Sequence, residues 1–242
     1  MTAPRVPRVV SLVPSVTETL LAWGVTPVAC TRFCEQPDLP HVGGTKDPDV
    51  ARIAGLAPDL VVMCVEENRR EDAEALADAG VATASLSIDA VADVGPALRM
   101  LAALVGVPAD AAELGAVDEL AAAPPAPARL RAFVPIWKRP WMTLSGGTYG
   151  SSLLAALGVA NVFADAADRY PTVTLDEARE RRPDVVLAPS EPYPFAERHV
   201  PLLAEVAPVV LVDGQDLFWW GARTPGAAAR LRERLAGRAP AG

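Results

Sequence analysis

The sequence lacks the features that mark a membrane-spanning or nucleic-acid-binding protein. No apolar run approaches the roughly 18 residues that a membrane-spanning helix needs, so no membrane insertion is expected. The formal net charge of −8 disfavours nucleic acid and anionic lipid as partners. With 51% hydrophobic residues, the chain of 242 residues is still long enough and apolar enough to bury a sizeable core.

Signatures of catalysis and of metal binding are also scarce. The sequence has no GxSxG motif, no P-loop and no GxGxxG after a strand, and its two histidines form no HxH or HExxH spacing. Its cysteines, Cys30, Cys34 and Cys64, form neither a disulfide framework nor a CxxC pair. We therefore expect no enzyme and no covalently bound cofactor. An acid–base enzyme that uses Glu66, Glu67 and a histidine is the alternative.

The N-terminal residues lead directly into the apolar run at residues 9–13. They contain no separate apolar stretch before a small-residue cleavage site, which a secretion signal would require. A cytoplasmic location is therefore expected if Met1 is the natural start. A periplasmic or extracellular location is the alternative if a leader has been trimmed.

What the sequence does contain is one pattern that occurs twice. In each half an apolar helical stretch ends at a glycine, Gly24 or Gly158, and a later helix is followed by Pro-Asp and a continuous apolar run. Such runs are typical of parallel strands covered on both faces. Two copies are too few for a solenoid. They predict an α/β fold with two parallel-sheet lobes of related topology and a ligand cleft between them.

A proline-rich break separates the two copies. An Ala-rich helix is predicted from Pro108 to Leu120, and residues 123–127 read APPAP. We therefore predict an N-terminal lobe over residues 1–107, a connecting backbone helix and Pro-rich segment over 108–129, and a C-terminal lobe over 130–242. At the start of the first helix, Ser15 and Glu18 have the spacing of a capping box.

Aromatic residues are concentrated in predicted loops that follow strands. Flat, rigid rings stack on a planar macrocycle at small entropic cost, and neighbouring cations suit an anionic ligand. The alternative is that these rings pack in the core. The predicted ligand contacts are Trp137, Trp141, Tyr149, Tyr193, Trp219, Trp220 and Arg223 in the second half, and Phe33, Cys34 and Glu66 in the first.

Direct metal binding is a second interpretation of the first half. Cys34, His41 and Glu66 lie in loops that border the carboxyl ends of predicted strands, where ligands of open α/β sheets gather. Acidic residues at Glu66 and Glu67 are equally explained by a helix N-terminus, which favours negative charge.

Several short segments carry a resemblance to a known family. They are SLVPSVTE at 11–18, VGG at 42–44, DVARI at 49–53, LAPDLV at 56–61, NVF at 161–163, TLDE at 174–177 and RPDVV at 182–186. In this order they resemble the helical-backbone (class III) solute-binding proteins of ABC importers. The run FWW at 218–220, followed by RTP at 223–225, is most similar to the cobalamin-binding members.

The resemblance implies non-catalytic binding of cobalamin, haem or a ferric siderophore, with Trp219 packed on the corrin ring in the first case. It also implies an acidic residue on each lobe that docks onto arginines of an ABC permease. Asp176 or Glu177 matches that position in the second lobe, but Ala51 occupies it in the first. We therefore expect no strong association with a permease.

Overall fold

The computed structural model describes residues 6–108, 111–123 and 128–238, except for the side chains of residues 111–113. Within these ranges the chain divides into two units. The first contains residues 6–88, 93–108, 111–116 and 220–222, and the second contains residues 89–92, 117–123, 128–219 and 223–238. The lobe boundaries expected from the sequence stay a prediction.

The first unit is built on a four-stranded parallel sheet. Its strands are β1 (Val9–Ser11), β2 (Ala29–Cys30), β3 (Leu60–Cys64) and β4 (Thr83–Leu86), in the order β2-β1-β3-β4. The central strand β3 is buried along its whole length, as its continuous apolar sequence predicts. The helices of the first half are α1 (Pro14–Ala22), α2 (Val50–Gly55), α3 (Arg70–Asp78), α4 (Val91–Val105) and α5 (Ala111–Ala122).

The capping box predicted at the start of α1 is wrong. The helix begins at Pro14, its N-cap is Val13, and no side chain caps it. The buried hydroxyl of Ser15 has no hydrogen-bond partner. Proline suits the first helical position because its φ is already helical and its missing N–H would have no intrahelical partner there.

The second unit contains a four-stranded parallel sheet and a small hairpin. Its strands are β5 (Leu130–Phe133), β6 (Pro135–Trp137), β7 (Met142–Thr143), β8 (Val159–Asn161), β9 (Val185–Pro189) and β10 (Val209–Val212). The parallel sheet has the order β10-β9-β5-β8, and β6 pairs with β7 in antiparallel fashion. The helices are α6 (Tyr149–Ala156), α7 (Leu175–Glu180), α8 (Val200–Leu203), α9 (Gly214–Phe218) and α10 (Thr224–Arg234).

The two sheets have the same topology, which confirms the predicted fold class of two parallel-sheet lobes. Read from the other edge, β8-β5-β9-β10 repeats the order β2-β1-β3-β4. The repeat extends to side chains: the backbone N–H of Arg8 donates to Asp59 at 2.6 Å, and that of Arg131 donates to Asp184 at 2.7 Å. Across the part of the chain that is described, no helix is both long and apolar enough to cross a bilayer.

A short segment of the C-terminal half, Trp220–Ala222, belongs to the first unit. The backbone N–H of Ala222 donates to the Thr19 hydroxyl at 3.1 Å. Gly221 has a φ of +120°, and a Cβ at this position would collide with the same hydroxyl. Only glycine therefore fits between these neighbours.

Candidate functional site

The carboxyl ends of the parallel strands carry most of the predicted site residues. In the second unit, β5 leads into the hairpin that carries Trp137, and β9 leads into the loop that carries Tyr193. Open α/β sheets bind ligands at this edge because loops from neighbouring strands converge there.

Five rings form what we call the aromatic cluster: Trp137, Trp141, Tyr193, Phe195 and His199. Trp137 lies edge-on to Tyr193 with centroids 5.6 Å apart, and Tyr193 lies 4.8 Å from Phe195. Trp141 stacks on Phe195 with an interplanar angle of 5°. These separations are within the range in which aromatic pairs attract each other, so the cluster holds its members in fixed orientations.

The aromatic cluster has a buried base and an exposed tip. Phe195 and His199 are 4% and 5% exposed, whereas Trp137 is 44% exposed. Trp141 and Tyr193 are half-buried between these extremes. An indole presented to solvent by a buried base is a ready stacking surface for a planar ligand.

His199 lies at the buried base of the cluster, where its neutral form is favoured. Burial first, and then the charges of Arg198 and Lys138, lower the pKa of His199 below its ordinary value. Its Nδ1 accepts a hydrogen bond from the Ala196 N–H at 3.1 Å, and its Nε2 lies 3.5 Å from the Tyr193 hydroxyl. Both ring nitrogens of His199 thus contact groups of the same loop.

A cation flanks the aromatic cluster. The Lys138 ammonium lies 5.8 Å from the centroid of the Trp141 ring, which is a cation–π distance. Such a charge near a half-buried indole favours an anionic or electron-rich ligand.

A second group lies at the end of α9 and centres on Trp219. The Arg223 guanidinium lies 5.3 Å from the centroid of its half-buried ring. Arg223 donates to Asp216 at 3.0 Å, and Asp216, whose side chain is only 6% exposed, also binds Arg230. The buried Asp216 carboxylate thus holds the Arg223 guanidinium in place, and this guanidinium in turn orients the Trp219 indole.

Three predicted ligand contacts are buried side chains. Trp220, Tyr149 and Cys34 are 3%, 5% and 2% exposed. The Tyr149 hydroxyl lies 3.0 Å from that of Thr224, and burial raises the pKa of Tyr149 to about 12. Since these side chains are packed against protein, we do not include them in the proposed site.

Cys34 has an unusual environment for a buried thiol. The Thr17 hydroxyl donates to its Sγ at 3.2 Å, and the Thr31 hydroxyl lies at 3.2 Å. Hydrogen bonds, first from Cys30 and then from the two threonines, lower the pKa of Cys34 to about 6 and outweigh its burial. The same pairing raises the pKa of Cys30.

Two apolar side chains are exposed beyond the strands of the first unit. Phe33 is 50% exposed with the Arg32 guanidinium 4.8 Å from its ring centroid, and Val65 is 64% exposed. Phe33 was predicted, but Val65 was not. Its place directly after the buried strand β3 is the signal that could have identified it.

The predicted metal ligands do not form a metal site. The Nε2 atom of His41 lies 3.0 Å from the Gln36 carbonyl, and the Glu66 backbone carbonyl accepts from Lys46 at 2.8 Å. Within the ranges that the structure covers, no three His, Cys, Asp or Glu side chains come together in a group that could hold a metal ion.

The predicted docking acids differ in their surroundings. The Asp176 side chain is 82% exposed and pairs with Arg179. Glu177 forms a capping box with Thr174, whose N–H donates to it at 2.6 Å, and this hydrogen bond lowers the pKa of Glu177. In the first half, Ala51 has the same place relative to the N-cap of α2 as Asp176 has in α7.

The sequence is similar to known binding proteins. Residues 9–197 match the family described as "Periplasmic binding protein". The chain is 27% identical over 190 residues to the vitamin B12-binding protein of Salmonella choleraesuis (strain SC-B67), which covers 75% of this chain and 71% of the relative.

Two solved structures show the same fold. The periplasmic vitamin B12 binding protein of Vibrio cholerae has a TM-score of 0.76 at 20% identity and covers 96% of this chain and 98% of its own. The periplasmic heme binding protein of Vibrio cholerae has a TM-score of 0.76 at 20% identity, with 95% and 98% covered. The resemblance inferred from the sequence is confirmed. Since the family match spans most of the sequence, the chain belongs to the periplasmic binding protein family.

Proposed function

We propose that the chain binds a corrinoid such as cobalamin and releases it chemically unchanged. The observation that carries the proposal is the exposed Trp137 ring, which the buried base of the aromatic cluster holds at the carboxyl edge of its sheet. The similarity to a vitamin B12-binding protein supports the same class of ligand. The position of the ligand between the two lobes stays a prediction.

Ring stacking supplies the affinity in this proposal. Trp137 and Trp219 each present an indole whose orientation is fixed by a neighbour, Tyr193 in one case and Arg223 in the other. A ring that is already immobilised loses little conformational entropy when a ligand stacks on it. Both rings therefore favour a large, flat, apolar ligand surface over a small polar solute.

Three side chains that could act as an axial ligand of haem iron are buried, whereas Tyr193 in the aromatic cluster is half-buried. Haem iron usually takes an axial ligand such as His, Cys or Tyr from the protein, whereas cobalamin brings its own axial ligands. In this chain Cys34, Tyr149 and His199 are all at most 5% exposed. Each also contacts a polar group: the Thr17 hydroxyl, the Thr224 hydroxyl and the backbone N–H of Ala196 respectively.

The proposal includes no catalysis, because the ligand is bound and released without chemical change. Weak association with a permease stays a prediction, supported by the absence of a carboxylate at Ala51. The cytoplasmic location also stays a prediction. The two similar proteins of known structure are named as periplasmic, which favours the alternative location.

A titration monitored by visible absorbance tests the proposal. The full chain is titrated with cyanocobalamin and, separately, with haemin. We expect cyanocobalamin to bind, and we expect Trp137→Leu to weaken its binding by about fivefold or more, the equivalent of one aromatic contact. Trp23→Leu, a half-buried indole at the end of α1, is the matched control and should leave the affinity unchanged. Binding of haemin without cyanocobalamin would overturn the assignment.

A further inference from the structure

A cavity of about 400 Å³ lies at the amino ends of β5 and β8, at the opposite edge of the second sheet from the aromatic cluster. Its volume is within the range of roughly 300–1,000 Å³ that is typical of small-molecule pockets. The lining residues are Ala128, Arg129, Leu130, Leu157, Gly158, Val159, Arg232, Leu235, Gly237 and Arg238. None of them takes part in the proposed corrinoid site.

The cavity is strongly basic although the protein is acidic. Arg129, Arg232 and Arg238 line it, and no acidic side chain does. Among the residues that the structure places, none of the three forms an ion pair. All three arginines are exposed, in a chain whose net charge is −8.

Two helix ends reduce this positive charge without cancelling it. Leu157 and Leu235 are the C-caps of α6 and α10, and both line the cavity. Each helix C-terminus contributes about −0.5 of a charge. Against three full positive charges, the two ends leave a net charge of about +2, which matches a dianion.

We propose that this cavity, which we call the arginine pocket, binds a phosphate monoester that carries a small apolar group. The planar guanidinium fork matches the oxygen geometry of a phosphate and donates two hydrogen bonds in parallel. The buried side chains of Leu130, Leu157, Val159 and Leu235 form an apolar floor beside the charges. Arg129 is positioned at the rim by its hydrogen bond to the Leu157 carbonyl at 3.4 Å.

Isothermal titration calorimetry with n-butyl phosphate tests the arginine pocket. The full chain should bind n-butyl phosphate and should not bind n-butanol, which lacks the charge. Arg232→Gln should weaken binding by about tenfold or more, as expected for the loss of a charge-assisted hydrogen bond. Arg234→Gln is the matched control because it removes the same charge from the same helix outside the lining.

The outcomes separate this proposal from the corrinoid site. Absence of n-butyl phosphate binding, or equal weakening by Arg232→Gln and Arg234→Gln, would overturn it. Loss of binding in the Trp137→Leu variant would also overturn it, because the phosphate would then occupy the other edge of the sheet. Cyanocobalamin affinity should be unchanged by Arg232→Gln, so each site is judged by its own ligand.

Discussion

Trp137 meets Tyr193 edge to face, with ring centroids 5.6 Å apart and planes at 78°. Tyr193 also contacts Phe195 and His199, with centroids 4.8 Å and 5.5 Å away. The exposed indole is thus connected through Tyr193 to the buried base of the aromatic cluster. Its orientation depends on a neighbour that is itself fixed.

Replacing Tyr193 by alanine should weaken cyanocobalamin binding. An aromatic pair contributes about 0.5–1.5 kcal/mol beyond its buried area, so we expect a loss of about twofold to twelvefold. Tyr193→Phe keeps the ring and should keep most of the affinity, as measured by absorbance titration. Equal losses in the two variants would assign the effect to the hydroxyl.

Replacing Trp219 by alanine should weaken cyanocobalamin binding by at least about 1 kcal/mol. The expected reason is the loss of the indole surface that Arg223 holds in place. A titration at equilibrium, with circular dichroism to confirm folding, provides the measurement. Unchanged affinity in a folded variant would remove Trp219 from the site.

The sequence predicts the architecture well because the repeat is encoded in local patterns. Each of these patterns spans only a few residues. The apolar runs at β3 and β9 predict buried strands, and the glycines after α1 and α6 predict helix ends. The order of strands in each sheet depends on contacts between distant segments, and no local pattern specifies it.

The site is less predictable because it depends on side-chain direction. Trp219 and Trp220 are adjacent, yet the first is half-buried and the second is 3% exposed. The short hairpin that presents Trp137 has strands of only three and two residues, too short to leave a periodic signal. The arginine pocket combines residues about a hundred positions apart in the chain, which the sequence alone does not bring together.

Replacing Asp216 by asparagine should destabilise the fold. The buried carboxylate is bound by Arg223 and Arg230, so its neutralisation removes the negative charge that both guanidinium groups bind. Removing one partner of a buried ion pair costs about 3 kcal/mol, measurable by urea unfolding. Asp176→Asn is the matched control: its side chain is 82% exposed, and the expected loss is at most about 1 kcal/mol. Equal effects would contradict the role given to Asp216.

The Cys34 thiol should make stability depend on pH. Its pKa is lowered in the folded state from 9.0 to about 6, so between these values the folded protein binds fewer protons than the unfolded chain. The free energy of unfolding should therefore rise with pH across this window and lose that contribution as the pH falls toward 6. Urea unfolding over a pH series, compared with Cys34→Ser, isolates the effect.

A spectroscopic control accompanies the Cys34 prediction. The ultraviolet absorbance of the thiolate should appear in the folded wild type well below the ordinary thiol range and should be missing in Cys34→Ser. If the absorbance grows only near the ordinary value of 9.0, the hydrogen bonds from Cys30, Thr17 and Thr31 do not stabilise the thiolate.

The segment Trp220–Ala222 gives the first unit a component from late in the polypeptide. The N-terminal half of the chain therefore lacks three residues of the first unit. During synthesis on the ribosome, the first unit has to wait for these three residues before Thr19 receives the amide of Ala222. Separate expression of the two halves would therefore leave the N-terminal fragment incomplete, however well its own sheet had formed.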